Sequence, residues 1–188
     1  GLKELKLYNN YRLPKNVAQI TQKYVGVNVM HYQEKVYMNN EPDFPHFIHY
    51  NSDEEQTEAM GKIIEQYKGK SIGILLYSNN LVLEISKALT KHGINLEFKC
   101  KTAADDRHGQ GNLHFTNTLP KVLTYHSAKG LQFDVVIIPK FEGAVTEEQR
   151  KSLYVAMTRT MHHLYVLYTT DKISAPLNTV LPNMYKKC

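Results

Sequence analysis

Three short apolar runs limit what this chain can become: Ser71–Tyr77, Lys121–His126 and Asp134–Pro139. Each is too short for an ordinary buried helix and rich in β-branched and aliphatic side chains, so each reads as a strand covered on both faces. The segments around them carry a helical period. Ser52 and Glu55 form an S-x-x-E capping box ahead of Ala59, Ile63, Ile64 and Tyr67, whose spacing marks one helix face. A further helix is expected from about Asn79 to His92, stopped by Gly93, and another from about Thr146 to Met161. Pro14 suits the first position of an earlier helix running to about Tyr24. Short strands are expected before Pro14, near Lys35–Met38 and near Phe47–Tyr50, with a last one over His163–Thr170. Strands alternating with helices predict an α/β fold, a mainly parallel sheet with helices on both faces.

A length of 188 residues with 42% hydrophobic content suits a single domain, expected to span residues 1–188. The apolar runs fall far short of the roughly 20 residues that cross a bilayer, and the start GLKELKLYNN lacks the features of a signal peptide. A cytoplasmic location and no membrane partner are expected. Cys100 and Cys188 have no CxxC spacing, so neither a disulfide framework nor a metal site is expected. Lys and Arg number 23 against 18 Asp and Glu, a balance that fits a polyanion partner without requiring one. Residues 101–118 are polar and glycine-containing without periodicity, and read as a loop or small excursion.

Thr124-Tyr125-His126-Ser127-Ala128-Lys129-Gly130-Leu131-Gln132-Phe133-Asp134 joins two expected core strands. Ligands collect at the carboxyl ends of strands in open α/β sheets, where small residues let backbone N–H groups approach phosphate oxygens. Alone, the segment reads equally as a polar connection, and His126 as a hydrogen-bonded structural histidine. On the late helix, Leu153, Ala156, Met157 and Thr160 share a face at about 100° per residue, whereas Arg159 points away from that stripe. A guanidinium is a permanently charged fork suited to phosphoryl oxygens; alone, Arg159 reads as a solvated arginine or a surface ion pair. Asn10-Tyr11-Arg12-Leu13-Pro14 places another arginine just before a helix start.

Taken together, NYR near the start, THSAKGL-like residues later and YVAMTR after them resemble motifs IV, V and VI of UvrD/Rep-like superfamily I DNA helicases in order and spacing. Leu76-Tyr77-Ser78-Asn79-Asn80 is similar to the short motif between IV and V, and the likeness runs from about Leu7 to Tyr168. The resemblance implies a RecA-like fold of the P-loop NTPase type, the second, C-terminal motor domain of such an enzyme. It would close against the N-terminal RecA-like domain of the same polypeptide, with ATP and Mg2+ in the cleft between them. Arg12 and Arg159 would act as catalytic arginine fingers. Gly130 and Gln132 would border the nucleotide. Thr124, His126, Ser127 and Asn80 would hold the backbone of single-stranded DNA, and Lys129 could serve either surface.

Departures from the family pattern qualify this. Gln132 stands where glutamate is usual, Ser78 where arginine is common, Leu13 for serine and Thr160 for alanine. At about residues 99–120 only a short insertion stands where the family often carries a large accessory domain. The P-loop pattern GxxxxGK[ST] and a DExx-type acidic motif are absent from the sequence, so the Mg2+ ligands are expected outside this chain. The expectation is therefore a motor-domain fragment, inactive alone, of an ATP-dependent DNA helicase. The alternative is a regulatory or nucleic-acid-binding module that uses the helicase fold without hydrolysis.

Overall fold

The computed structural model describes residues 9–24, 36–40, 42–101 and 113–187. Its centre is a seven-stranded sheet in which every neighbouring pair is parallel. In chain order the strands are β3 (His46–His49), β4 (Ile72–Leu76), β5 (Glu97–Lys99), β6 (Lys121–Thr124), β7 (Phe133–Ile138), β8 (Thr160–Tyr168) and β9 (Lys186–Lys187). Their spatial order is β5-β6-β4-β7-β8-β3-β9. A separate two-stranded parallel pair joins β1 (Asn9–Asn10) to β2 (Val36–Tyr37). The helices are α1 (Lys15–Tyr24), α2 (Asp53–Gln66), α3 (Asn79–Lys91) and α4 (Glu147–Met157).

Alternation along the central strands divides the core into two layers. Leu75, Leu123, Val136, Ile138, Leu164 and Val166 face a layer with Val17 and Ile20 of α1 and Leu153, Ala156 and Met157 of α4. Ile74, Val122, Val135, Ile137 and Leu167 face the opposite layer, with Met60 and Ile63 of α2 and Val82, Ile85 and Leu89 of α3. Helices thus cover both faces, which is why the strands are apolar at nearly every position. The Phe133 ring of β7 packs over Gly73 of β4: a Cβ there would stand 2.5 Å from it.

Local sequence signals explain most element ends. Ser52 Oγ accepts from the Glu55 N–H, but Glu55 itself turns to the Asn51 N–H at 2.9 Å, so only half of the expected capping box forms. The complete box belongs to α4, where Thr146 Oγ1 accepts from the Gln149 N–H and Gln149 Oε1 accepts from the Thr146 N–H. Gly93, at φ +78°, ends α3 as expected. Pro14 accepts the first helical bond of α1, from Ala18 N–H at 2.9 Å, so it stands one position before the helix and not inside it.

One boundary corrects the sequence reading in a way that matters. α4 ends at Met157, not near Met161, and Arg159 is not helical. The reason is the sheet: Phe133 N–H donates to Arg159 O at 3.0 Å, and Thr160 already pairs with Phe133. Parallel pairing therefore takes the backbone that would have continued the helix. Thr160 stays fully buried, as a core position should. β5 and β9, at opposite edges of the sheet, are three and two residues long and carry no sequence period to reveal them. The described part of the short insertion, residues 113–120, contains turns and no regular element; residues 102–112 lie outside the described residues.

Asp43 fastens the β9 edge. It accepts from His46 Nε2 at 3.0 Å and His163 Nδ1 at 2.9 Å, and also pairs with Lys186. Burial would raise its carboxyl, but hydrogen bonds from Lys186, His163 and His46 outweigh that and hold it well below the usual carboxylate range.

Candidate functional site

The connection of residues 125–132 organises the site. It leaves β6 at the carboxyl edge of the sheet and enters β7 at the amino edge, crossing β4 on the α1/α4 side, where Ala128 and Tyr125 are buried. At its first end, Thr124 Oγ1 donates to Ser127 Oγ at 3.0 Å and accepts from the Ser127 N–H at 3.1 Å. Ala128 N–H then donates to Thr124 O and Lys129 N–H to His126 O, so a tight, internally bonded turn follows the strand. His126 and Ser127 are exposed on it. Tyr125 points inward, and burial pushes its hydroxyl pKa up.

That turn forms one wall of a groove of about 1030 Å³ at the carboxyl ends of β4, β5 and β6. Thr124, His126 and Ser127 line it, together with Ser78, Asn79, Lys99 and Lys101. Of the four residues assigned to the DNA side, the fold brings three to this groove. Asn80 is exposed in the first turn of α3, and its neighbour Asn79 lines the groove instead, accepting from Lys101 N–H at 2.9 Å. Ser78 is the N-cap of α3, its Oγ accepting from Leu81 N–H. Hydroxyls, helix-start N–H groups and lysines around one groove suit a chain of phosphates.

At the amino edge the connection passes Gly130, whose φ of +89° is a conformation that side-chain-bearing residues rarely adopt. A Cβ there would meet nothing within 4 Å, so glycine is required by the backbone and not by crowding. Arg159 stands beside it. Its Nη1 donates to Leu131 O at 3.3 Å, its Nε to Val155 O at 3.0 Å and its Nη2 to Thr158 Oγ1 at 3.1 Å. Leu131 is the residue between Gly130 and Gln132. Burial lowers the Arg159 pKa below its ordinary value, with Tyr154 acting the other way, and a guanidinium stays cationic at neutral pH regardless. Three of its five N–H donors are used, which leaves one on each terminal nitrogen among the described residues.

Arg12 lies near the same edge. Asn39 Nδ2 donates to Arg12 O and to Met161 O, each at 2.8 Å, and so joins the segment before α1 to the start of β8, two residues past Arg159. Lys129 is exposed and lines a smaller cavity with Glu148, Lys151 and Ser152 at the start of α4. Asn39 and Thr158 were not visible as site residues in the sequence: each acts through side-chain hydrogen bonds that no local pattern announces. Among the described residues no group of three or more His, Cys, Asp or Glu side chains is arranged to hold a metal ion.

Residues 121–167, from the start of β6 to near the end of β8, match the family model of the UvrD-like helicase C-terminal domain. Over that segment the chain is similar to the UvrD-like helicase C-terminal domain. The RecB subunit of the RecBCD enzyme of Chlamydia pneumoniae is 34% identical over 70 residues, which is 35% of this chain and 7% of that protein. A probable DNA helicase II homolog of Rickettsia conorii is 34% identical over 65 residues, covering 27% of this chain and 10% of its own length. The chain thus spans a tenth or less of these curated relatives. The C-terminal domain of a possible DNA helicase from Lactobacillus plantarum WCFS1 superposes with a TM-score of 0.67 at 21% identity, covering 95% of this chain and 98% of that one. The helicase nonstructural protein 10 of an arterivirus, in complex with DNA, superposes at 0.52 and 9% identity over 77% of this chain and 35% of that one. These likenesses identify the chain's fold as RecA-like α/β. No helix among the described residues is long and apolar enough to cross a membrane.

Proposed function

We propose that this UvrD-like domain is the second motor domain of an ATP-dependent DNA helicase, with the nucleotide at the amino edge of its sheet and single-stranded DNA at the carboxyl edge. The observation that carries the reading is the bond from Arg159 Nη1 to Leu131 O, beside the positive-φ Gly130. It sets a half-buried cation next to a glycine, and among the described residues a donor is unspent on each terminal nitrogen and the glycine's flank is open. Such a group is suited to charge developing on a transferring phosphoryl group. Arg12 would join it from the segment that Asn39 ties to β8, and Gly130, Gln132 and Lys129 would border the nucleotide. Gln132 offers a neutral amide to the ribose where a carboxylate is usual.

ATP would supply the phosphoryl group, and the P-loop and Mg2+ ligands would come from an N-terminal RecA-like partner domain. Residues 1–188 would form one domain, the insertion at about residues 99–120 replacing an accessory domain. Thr124, His126 and Ser127, with Asn80 nearby, would hold the DNA backbone. The connection of residues 125–132 would then link the two edges, so that movement of the arginines on nucleotide turnover is felt at the strand-holding turn. Binding of a labelled oligo(dT) to the complete polypeptide tests the DNA half of the reading. Affinity should fall steeply as salt rises, with a log–log slope of about −0.7 for each phosphate neutralised. An affinity that ignores salt contradicts it.

A further inference from the structure

The groove at the carboxyl edge holds more than phosphate-binding groups. Tyr77, 51% exposed, and Phe115, 60% exposed, both line it. Neither belongs to the motif residues assigned to DNA. The basic side chains of Lys99, Lys101, His114 and His126 line the same groove, and among the described residues no carboxylate does.

Two sets of contacts hold these rings in place. Tyr77 meets the buried Tyr125 edge-on, with centroids 6.2 Å apart, and is half exposed where it lines the groove. Phe115 sits on a turn that Glu97 anchors. Glu97 accepts from His114 N–H at 2.6 Å, from His114 Nδ1 at 3.2 Å, from Asn117 Nδ2 at 2.6 Å and from Lys121 Nζ at 3.0 Å. Glu97 is only 12% exposed and Lys121 4%, so the anchor is a largely buried ion pair at the base of the turn. At 60% exposure, most of the Phe115 ring is open to a ligand. A planar aromatic surface flanked by cations is the equipment that stacks nucleobases while the flanking charges follow the phosphates.

We propose that Phe115, with Tyr77 lining the same groove, forms a base-stacking platform for single-stranded DNA, and that Glu97 is its positioning residue. The proposal rests on the reading of this groove as a DNA track, and deepens it: the short insertion supplies a contact to bases where the motif residues contact the backbone. Stacking is indifferent to base identity, since every base has a π-face, so the platform would grip without selecting sequence.

The test uses the complete polypeptide and two labelled probes of equal length, oligo(dT) and an abasic oligonucleotide that keeps the phosphates and lacks the bases. Wild type should bind oligo(dT) more tightly than the abasic strand. Phe115→Ala should weaken oligo(dT) binding by about 5- to 100-fold, the range of one lost base stack, and leave abasic binding unchanged. Phe115→Trp should restore it. Lys101→Ala should weaken both probes alike and reduce the salt slope by about 0.7. Because Phe115 is exposed, thermal melting should show Phe115→Ala folded as wild type. If Phe115→Ala binds oligo(dT) as wild type does while Lys101→Ala weakens it, the stacking proposal is overturned and the DNA-track reading stands. Equal loss on both probes also overturns stacking. Failure of wild type to bind either probe overturns both.

Discussion

Arg159 donates from Nη1 to the carbonyl oxygen of Leu131 at 3.3 Å, so the turn after α4 is tied to the residue between Gly130 and Gln132. The backbone at Gly130 therefore bears on where the guanidinium lies. Gly130→Ala should destabilise the domain by about 1–2 kcal/mol, the cost of forcing a side chain into positive φ, since no clash awaits a Cβ there. Gly130→Asn should cost less, because asparagine tolerates that region better. Urea unfolding would show a lower midpoint with an unchanged slope. An alanine variant as stable as wild type contradicts the strain argument.

The Thr124–Ser127 turn gives a second expectation. Thr124→Val keeps the shape but leaves the Ser127 N–H without its acceptor, and should cost about 1–2 kcal/mol. Binding of single-stranded DNA should weaken with it, because the turn that presents His126 and Ser127 loosens. Thr124→Ser should retain both properties. Parallel urea and DNA titrations check this, and a valine variant unchanged in both would show that the hydroxyl is dispensable.

Acid should act through Glu97. The His114 backbone N–H is the largest cause lowering its pKa, burial opposes, and hydrogen bonds from Asn117 and Lys121 lower it further, from 4.5 to about 2. A carboxyl depressed in the folded state contributes stability above its unfolded pKa and loses it as pH falls through the folded one. The stability gap between wild type and Glu97→Gln should be constant above about pH 5, narrow from pH 4.5 downward and vanish near pH 2. Thermal melts across that range would measure it. A gap independent of pH would show that the charge on Glu97 does not hold the turn.

The parts of the fold legible in the sequence were those with a period. β4, β6 and β7 showed as apolar runs because both faces are covered, and α2, α3 and α4 showed through spacing and caps. β5 and β9 were not legible, because a short edge strand is defined by its neighbour's hydrogen bonds and not by its own residues. The motif residues were readable by type and order, but their placement was not. Arg159 looked helical until the β7 backbone claimed its carbonyl, and Asn79 took the groove position expected for Asn80. Asn39 and Glu97 hold distant segments together through side-chain bonds 27 or more and 17 or more residues long in sequence, which no local pattern encodes.

Arg159 is the residue proposed to meet the transferring phosphoryl group. Its removal also deletes donors to Leu131 O and Val155 O, so the Arg159→Ala polypeptide must first be shown folded by thermal melting. DNA-stimulated ATP hydrolysis at saturating ATP is then the deciding measurement. Arg159→Ala should lower kcat by about 10³ to 10⁵, the range for arginine fingers, with much less change in ATP affinity. Lysine should rescue poorly, because a point charge lacks the planar fork. A folded Arg159→Ala polypeptide that keeps more than about a tenth of wild-type kcat, a loss of at most about 1.4 kcal/mol in transition-state stabilisation, would contradict the account.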